Sequence, residues 1–257
     1  MRKSLLLFLS LILAGCASVR LPTSTTPAIA AEPPYDAWTH VLQEYVDVDG
    51  RIDFDGLAKN RRELDRFVVY VMTYGPNNLA QYFPTPKHVL AYHINTYNAL
   101  AMYKVIESGV PQTLAGFQKV NFFFLGKVQV GGQSISLYDY ENKVIRPLGD
   151  ARAHVALNCM SLACPRLPRE AFLPQSLDQQ LDREARLFVG ETRNVSLDQN
   201  KKVLRLSEIF KFYTEDFLIN SPSLTAWINH YRVEKMVEPE KIEFIPSDWT
   251  INRQPGM

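Results

Sequence analysis

The sequence predicts an α+β fold, mostly helices packed around small antiparallel strands and hairpins. Apolar residues recur at helical spacing in several segments, which is typical of helices with one buried face. Short alternating segments flank Asp49-Gly50 and Gly131-Gly132, two pairs that favour tight turns. Because helical segments outnumber these short strands and the strands are joined by turns, an α+β fold is expected rather than a parallel α/β sheet.

Residues 1–15 have the composition of an export signal. Arg2 and Lys3 precede an apolar run, residues 5–13, which is shorter than the ~20 residues that a membrane-spanning helix needs. Leu13-Ala14-Gly15-Cys16 resembles the lipobox of bacterial lipoproteins, and the resemblance implies cleavage before Cys16 and lipidation of its thiol. The alternative is an ordinary signal peptide in which Cys16 is incidental.

The same resemblance predicts where the chain resides. Residues 16–34 are rich in Pro, Thr and Ala and form a linker, and residues 35–257 form one domain. The lipid on Cys16 would hold this domain on a membrane facing the periplasm. Ala17 stands where retained lipoproteins carry aspartate, which favours the outer membrane.

The charge balance argues against nucleic acid as a partner. Loss of residues 1–15 removes two bases and no acid, so the formal net charge falls from +1 to about −1. The expected partners are the membrane, through the lipid, and a small-molecule or peptide ligand.

The first half of the domain is predicted to contain three helices and two hairpins. Asp36 caps the first helix, residues 46–54 form a β-ribbon around Asp49-Gly50, and residues 57–74 form the second helix. Thr85-Pro86 starts a long helix that Gly109 ends. Strands are predicted at residues 122–125, 127–130 and 133–136, the last two joined by Gly131-Gly132.

The second half of the domain is also predicted to contain helices and short strands. Ser136 caps a helix that carries Asp139, Glu141 and Arg146, and Gly149-Asp150 ends it. A strand over residues 151–158 leads into an irregular segment, residues 159–165. The remaining elements are a helix from Ser176 to Gly190, a hairpin over residues 195–206, helices over residues 207–217 and 223–231, and a strand over residues 242–245.

Asn95 and Asn98 lie three residues apart in the long helix and therefore share a face. Their strongly apolar surroundings favour buried amides that hydrogen-bond to each other or to a neighbouring loop, since an unsatisfied buried amide costs about 1–3 kcal/mol. The alternative is a polar surface face.

The richest chemistry lies between His154 and Cys164. A thiol beside an imidazole is what thiol catalysis requires, because the thiolate is the nucleophile and the imidazole moves its proton. Cys159 is the predicted nucleophile and His154 the base, with Glu141 or Asn158 orienting the imidazole. Along a regular strand His154 and Cys159 would face opposite sides, so the pair requires the chain to turn at Asn158 or Cys159.

Other interpretations of this segment remain open. Cys159 and Cys164 are close enough in sequence to form a disulfide, either structural or reversible. His154, Cys159 and Cys164 could ligate zinc, although their spacing fits no common zinc motif. Arg146 and Arg152 could bind an anion or pair with local acids. Further pocket or core candidates are Tyr92, Tyr97, Phe210, Phe212 and Tyr213.

The chain from about residue 47 to 252 resembles the DUF547 family, a domain without an assigned activity. The motifs that carry the resemblance are Asp49-Gly50-Arg51-Ile52-Asp53-Phe54, Tyr92-His93-Ile94-Asn95-Thr96-Tyr97-Asn98, Leu137-Tyr138-Asp139-Tyr140-Glu141, Arg152 to Cys159 with Ser161 and Cys164-Pro165, Leu206-Ser207-Glu208-Ile209-Phe210, and Asp216-Phe217. His93 departs from the tryptophan usual in the family.

Two functional hypotheses follow. The first is a cysteine-dependent hydrolase or transferase for a peptide, amide or thiol small molecule, with Cys159, His154 and Glu141 as catalytic residues. Its predicted binding residues are Asn95, Asn98, Arg146, Asn158, Ser161 and Cys164. The second is a non-catalytic binding module or envelope scaffold in which a Cys159–Cys164 disulfide staples the loop. No cofactor or metal is expected for either.

Overall fold

Helix α4 (Pro86–Glu107) is the centre of the fold in the computed structural model, which describes residues 32–256. Every residue from Leu90 to Ile106 is buried, because neighbouring elements cover all sides of the helix. Thr85 precedes Pro86 at the first helical position, and Gly109 follows in the left-handed conformation with φ +76°. The predicted start and end of this helix are therefore confirmed.

The elements before and after α4 cover it. They are α1 (Tyr35–Tyr45), α2 (Phe54–Lys59), α3 (Arg62–Thr73), a 3₁₀ turn (Ala80–Tyr82) and α5 (Phe117–Val120), which continues as a π-helical turn (Asn121–Leu125). Strands β1 (Lys127–Val130) and β2 (Gln133–Ser136) form an antiparallel hairpin through Gly131-Gly132, as predicted. α3 packs on both α4 and β1.

The segment after β2 is one irregular helical run. α6 (Leu137–Tyr140) passes into a π-helical turn (Glu141–Ile145) and a 3₁₀ turn (Arg146–Leu148), and Gly149 ends the run with φ +78°. The Ser136 side chain accepts a hydrogen bond from the Asp139 N–H, so the predicted cap is confirmed. A 3₁₀ helix (Ala151–Val155) follows.

The C-terminal part builds a second apolar cluster. It contains α7 (Leu177–Gly190), β3 (Val195–Asp198), β4 (Val203–Ser207), α8 (Glu208–Phe212), α9 (Thr214–Leu218), α10 (Leu224–Tyr231) and β5 (Lys241–Ile245). Phe210, Phe217 and Trp227 lie at the centre of this cluster, whereas the larger cluster surrounds α4. The sheet order is β3-β4-β5, with β4 and β5 parallel.

The fold class is confirmed, but two predicted strands are wrong. Residues 122–125 are π-helical and residues 151–155 are 3₁₀-helical. Both segments are short apolar runs, in which periodicity cannot separate a strand from a buried helix. The Asp150 side chain accepts the Arg152 N–H, which caps a helical turn at the point where the strand was expected.

Several predicted elements differ in extent. The ribbon over residues 46–54 is a single bridge between Val46 and Ile52, because the Asp47 carboxylate accepts two turn N–H groups and α2 begins at Phe54. The segments over residues 57–74 and 207–217 are each divided between two helices. Asp36 lies inside the first turn of α1, since Pro33-Pro34 set the start of that helix. The last strand pairs in parallel with β4, which no local pattern indicates.

Within residues 32–256, none of the helices combines the length and the apolar character that crossing a membrane would require.

Candidate functional site

A disulfide between Cys159 and Cys164 closes the irregular loop that was predicted to carry the chemistry. The Cα atoms of the two cysteines are 6.1 Å apart. The Cys159 N–H donates to Cys164 Sγ at 3.0 Å, and the Ser161 hydroxyl lies 3.3 Å from each sulfur. The loop therefore surrounds its own sulfur atoms with polar groups.

Asn158 holds the two ends of this loop together. Its side-chain amide donates to the Pro165 carbonyl and accepts the Met160 N–H, both at 2.7 Å. Met160 is buried with φ +69°, in the left-handed region that is costly for a residue with a side chain, about 1–3 kcal/mol. The loop is thus fixed in an unfavourable backbone conformation directly after Cys159.

The two asparagines of α4 hold the backbone on either side of the loop. Asn98 donates to the Ala156 carbonyl at 2.9 Å and accepts the Asn158 N–H at 2.7 Å. Asn95 donates to the Phe172 carbonyl and accepts the Phe172 N–H. The prediction of buried, hydrogen-bonded amides is confirmed, and each amide binds a neighbouring segment rather than the other amide.

His154 is held by Asp216, a residue that was not predicted in the site. Nε2 of His154 lies 2.7 Å from Asp216 Oδ2, and the imidazole stacks on the Tyr213 ring with centroids 3.8 Å apart. Burial lowers the pKa of His154 to about 4, and this cause outweighs the opposing effect of Asp216. The imidazole is therefore neutral at neutral pH.

The partner of Nε2 fixes the tautomer. Hydrogen bonds from Arg146 and His154 keep the pKa of Asp216 below its ordinary value, so its carboxylate is ionised and can only accept. Nε2 of His154 consequently carries the proton, and Nδ1 carries a free lone pair. Within residues 32–256 this buried Nδ1 has no hydrogen-bond partner. A neutral histidine with a free basic nitrogen and an orienting carboxylate is the arrangement of a general base.

Arg146 completes the support of this pair. Its guanidinium forms a two-pronged hydrogen bond with Asp216, at 2.7 and 2.9 Å. Asp216 thus accepts hydrogen bonds from both Arg146 and His154. Among the described residues, it is the only carboxylate with which Arg146 forms an ion pair. Because its guanidinium is bound to Asp216, Arg146 cannot form a two-pronged hydrogen bond with a ligand anion in this arrangement.

Glu141 is a buried carboxyl group that reaches His154 through Tyr213. It accepts hydrogen bonds from the Tyr213 hydroxyl and, at 3.3 Å, from the Tyr97 hydroxyl. Burial raises the pKa of Glu141, and the two tyrosine hydroxyls oppose that shift. Glu141 does not orient the imidazole directly; it holds the ring of Tyr213 on which the imidazole lies.

A cavity of about 90 Å³ brings these groups together. Its polar lining comes from Glu141, His154, Cys159, Ser161, Cys164 and Ser247, and its apolar lining is largely aromatic. The aromatic members are Tyr97, Phe123, Phe212, Tyr213 and Trp249. Five of the predicted site residues therefore share one cavity, whereas Asn95, Asn98 and Asn158 support the backbone beside it.

A larger open cleft of about 740 Å³ lies on the other side of the disulfide loop. Ala163, Cys164 and Pro165 line both the cleft and the cavity, so the loop forms the wall between them. Arg152, in contrast, is engaged elsewhere in ion pairs with Asp150, Asp178 and Asp182. Among the described residues, His, Cys, Asp and Glu side chains form no group of three that could hold a metal ion.

One signal in the sequence could have identified Asp216. Asp216-Phe217 is among the motifs that carry the family resemblance, yet nothing in the local pattern connects it with a histidine 62 residues earlier.

The comparisons with known proteins agree with the resemblance and add no activity. The family model described as a protein of unknown function, DUF547, matches residues 84–189. That range includes α4, Glu141, His154 and both cysteines of the loop, whereas Tyr213 and Asp216 lie beyond it. No curated protein and no solved structure matches the chain.

Proposed function

We propose that the chain is a lipid-anchored envelope protein whose cavity supports cysteine-dependent hydrolysis or group transfer on a peptide, amide or thiol-containing small molecule. One observation carries this proposal. A neutral His154, oriented by Asp216, lines the same small cavity as Cys159, and its buried Nδ1 has no hydrogen-bond partner among the described residues. Asp216 takes the orienting role that the sequence suggested for Glu141 or Asn158.

The chemistry begins with reduction of the disulfide. An external dithiol converts the Cys159–Cys164 bond into two thiols and becomes a disulfide itself. In the reduced loop, transfer of the Cys159 proton to His154 Nδ1 places a thiolate beside the imidazolium, a stabilising charge that the oxidised loop lacks. The thiolate then attacks the substrate carbonyl carbon to form a thioester. The leaving group departs with the proton from His154. Water, activated by the same nitrogen, releases the acid and restores the thiol.

A second function is favoured by the disulfide itself. With the sulfurs joined, the loop supplies no thiolate, and the aromatic cavity with its carboxyl and imidazole would only bind a ligand. In this case the chain is a binding module or scaffold, and the bridge stabilises the wall of the site.

Thiol reactivity distinguishes the two functions. Free thiols are first counted in natively exported protein, with and without a dithiol. Alkylation rates are then followed against pH in Cys164→Ser, where Cys159 has no disulfide partner. The catalytic proposal expects a Cys159 pKa below the usual ~8.5, and a shift back toward that value when His154→Ala or Asp216→Asn is added. A Cys159 pKa at or above the usual value would contradict the catalytic proposal and favour the binding module. A Cys159 pKa that neither substitution changes would do the same.

The lipid anchor lies outside the described residues and needs its own test. Cys16→Ser is expected to move the protein out of the detergent phase, because the substitution removes the site of the predicted lipid. Fractionation of inner and outer membranes tests the assignment that rests on Ala17. Retention of the Cys16→Ser protein with detergent would contradict lipidation as the means of attachment.

A further inference from the structure

An exposed apolar face lies on the helical segment Phe117–Leu125. Phe117 is 69% exposed, and Val120, Phe124 and Leu125 are each more than 40% exposed. Tyr138 extends this surface, since the centre of its ring lies 4.6 Å from the centre of the Phe124 ring. We call these five residues the apolar face. An exposed apolar patch of this kind marks an interaction surface.

The opposite side of the same segment contributes to the candidate site. Phe122 and Phe123 are buried, and the Phe123 ring contacts Trp249 at 5.8 Å. Phe123 and Trp249 both line the 90 Å³ cavity. The segment therefore has an inner side that forms a wall of the cavity and an outer side without a partner among the described residues.

The stretch of chain that carries the apolar face has more bases than acids. Lys119, Lys127 and Lys143 lie between residues 116 and 143, and the only acids in that range are Asp139 and Glu141. Glu141 is buried, and Asp139 and Lys143 neutralise each other at 2.9 Å, which leaves Lys119 and Lys127 as the net positive charges of this range. The Lys119 ammonium lies 3.8 Å from the centre of the Trp249 ring. An aromatic surface with a basic rim is the composition that suits the interface of an anionic membrane.

We propose that the apolar face rests on the anionic lipid surface to which the chain is anchored. The proposal builds on the lipid anchor proposed above. Residues 17–31, between Cys16 and the described domain, reach at most about 50 Å when extended. That reach is comparable to the width of a domain of this size, so the tether allows the face to contact the lipid. Docking would bring the cavity wall formed by Phe123 and Trp249 close to the membrane.

Tryptophan fluorescence in vesicles tests the docking. The full mature protein is added to vesicles of phosphatidylcholine and phosphatidylglycerol whose acyl chains carry bromine, which quenches nearby tryptophans. Trp249 is the reporter, and Trp249→Phe should remove the quenched component. Phe117→Ser with Phe124→Ser should lower the ratio of docked to undocked protein at least about tenfold. The matched control is Val233→Ser with Val237→Ser, which changes two exposed valines far from this segment in sequence. This control should not lower the ratio of docked to undocked protein.

Three results would overturn the proposal. The first is absence of Trp249 quenching in the wild-type protein, and the second is equal quenching in wild type and the double-serine variant. The third is a concentration-dependent dimer in detergent that this variant abolishes, which would assign the face to a second copy of the chain. The mass of the mature protein reports lipidation of Cys16 separately. An unlipidated protein that still shows the quenching would therefore count against the anchor and in favour of the face.

Discussion

Asn98 illustrates how single residues support the site. Its amide makes one donor and one acceptor bond to the backbone before the disulfide loop, and it is almost completely buried. The sequence predicted this burial from the apolar neighbours of Asn98 in α4. It did not predict the partners, because the positions that Asn98 contacts lie about 60 residues away and only the fold brings them close.

Asn98→Leu and Asn95→Leu are each expected to lower the free energy of unfolding although leucine is the better helix former. Each substitution leaves a buried carbonyl and a buried N–H without a partner, at about 1–3 kcal/mol for each stranded group. Urea denaturation measures the loss. Asn220→Leu, in an exposed turn, is the control and should change stability by less than about 0.5 kcal/mol. Equal stabilities for all three variants would contradict the role of the amides.

Asp216 shows where residue-level prediction stops. The presence of Cys159 and His154 in one cavity was predictable because a thiol and an imidazole in one short segment indicate a specific chemistry. The orienting carboxylate was not, since acids are common and only the packing of α9 against the 3₁₀ helix selects one of them.

At the scale of elements, Lys104 explains how an irregular helical segment is stabilised. This buried lysine of α4 donates to the carbonyls of Phe122 and Gly126, at 2.5 and 2.7 Å, where the π-helical turn ends. The last carbonyls of a helix have no N–H partner within that helix. The buried Lys104 ammonium supplies the missing hydrogen-bond donor. The four-residue run at 122–125 carried no sign of this donor, which is why a strand was predicted there.

Lys104→Met is therefore expected to destabilise the segment Phe117–Leu125 more than the rest of the chain. The methionine fills the space but leaves two carbonyls unsatisfied, a loss on the order of 1–3 kcal/mol. Amide hydrogen exchange should accelerate first in this segment, and thermal unfolding gives the total loss. Lys127→Met, on the neighbouring strand, should have little effect. Uniform exchange throughout the Lys104→Met protein would argue against a local role.

At the scale of the whole molecule, two buried histidines couple stability to pH. Burial lowers the pKa of His93 and of His154 from 6.5 to about 4. The unfolded chain binds more protons than the folded chain between these values, so stability falls as the pH decreases through this window. At the acid end of this window, each histidine has lowered the free energy of unfolding by on the order of 3 kcal/mol. Glu141 acts in the opposite direction, since its raised pKa favours the protonated folded state.

Unfolding in urea from neutral pH to about 4 measures this dependence. His93→Gln retains a side chain that can hydrogen-bond to the Tyr140 hydroxyl, as His93 does at 2.7 Å, but it does not titrate. The variant should therefore lose about half of the acid-dependent decrease, while His230→Gln, at an exposed position, should retain all of it. A His93→Gln profile parallel to that of wild type would contradict the assignment.

The separation into two apolar clusters has a consequence for local opening of the protein. Asp216 lies on α9 and Tyr213 just before it, and both α8 and α9 pack in the C-terminal cluster. The 3₁₀ helix that carries His154 contributes Val155 to the same cluster, whereas the disulfide loop lies beside α4. Partial unfolding that released α8 and α9 would remove the carboxylate from the imidazole without disturbing α4 or the disulfide loop. The basicity of His154 would then depend on whether the C-terminal cluster is closed. The chemistry of the cavity and the exchange protection of the C-terminal helices would thus report the same equilibrium.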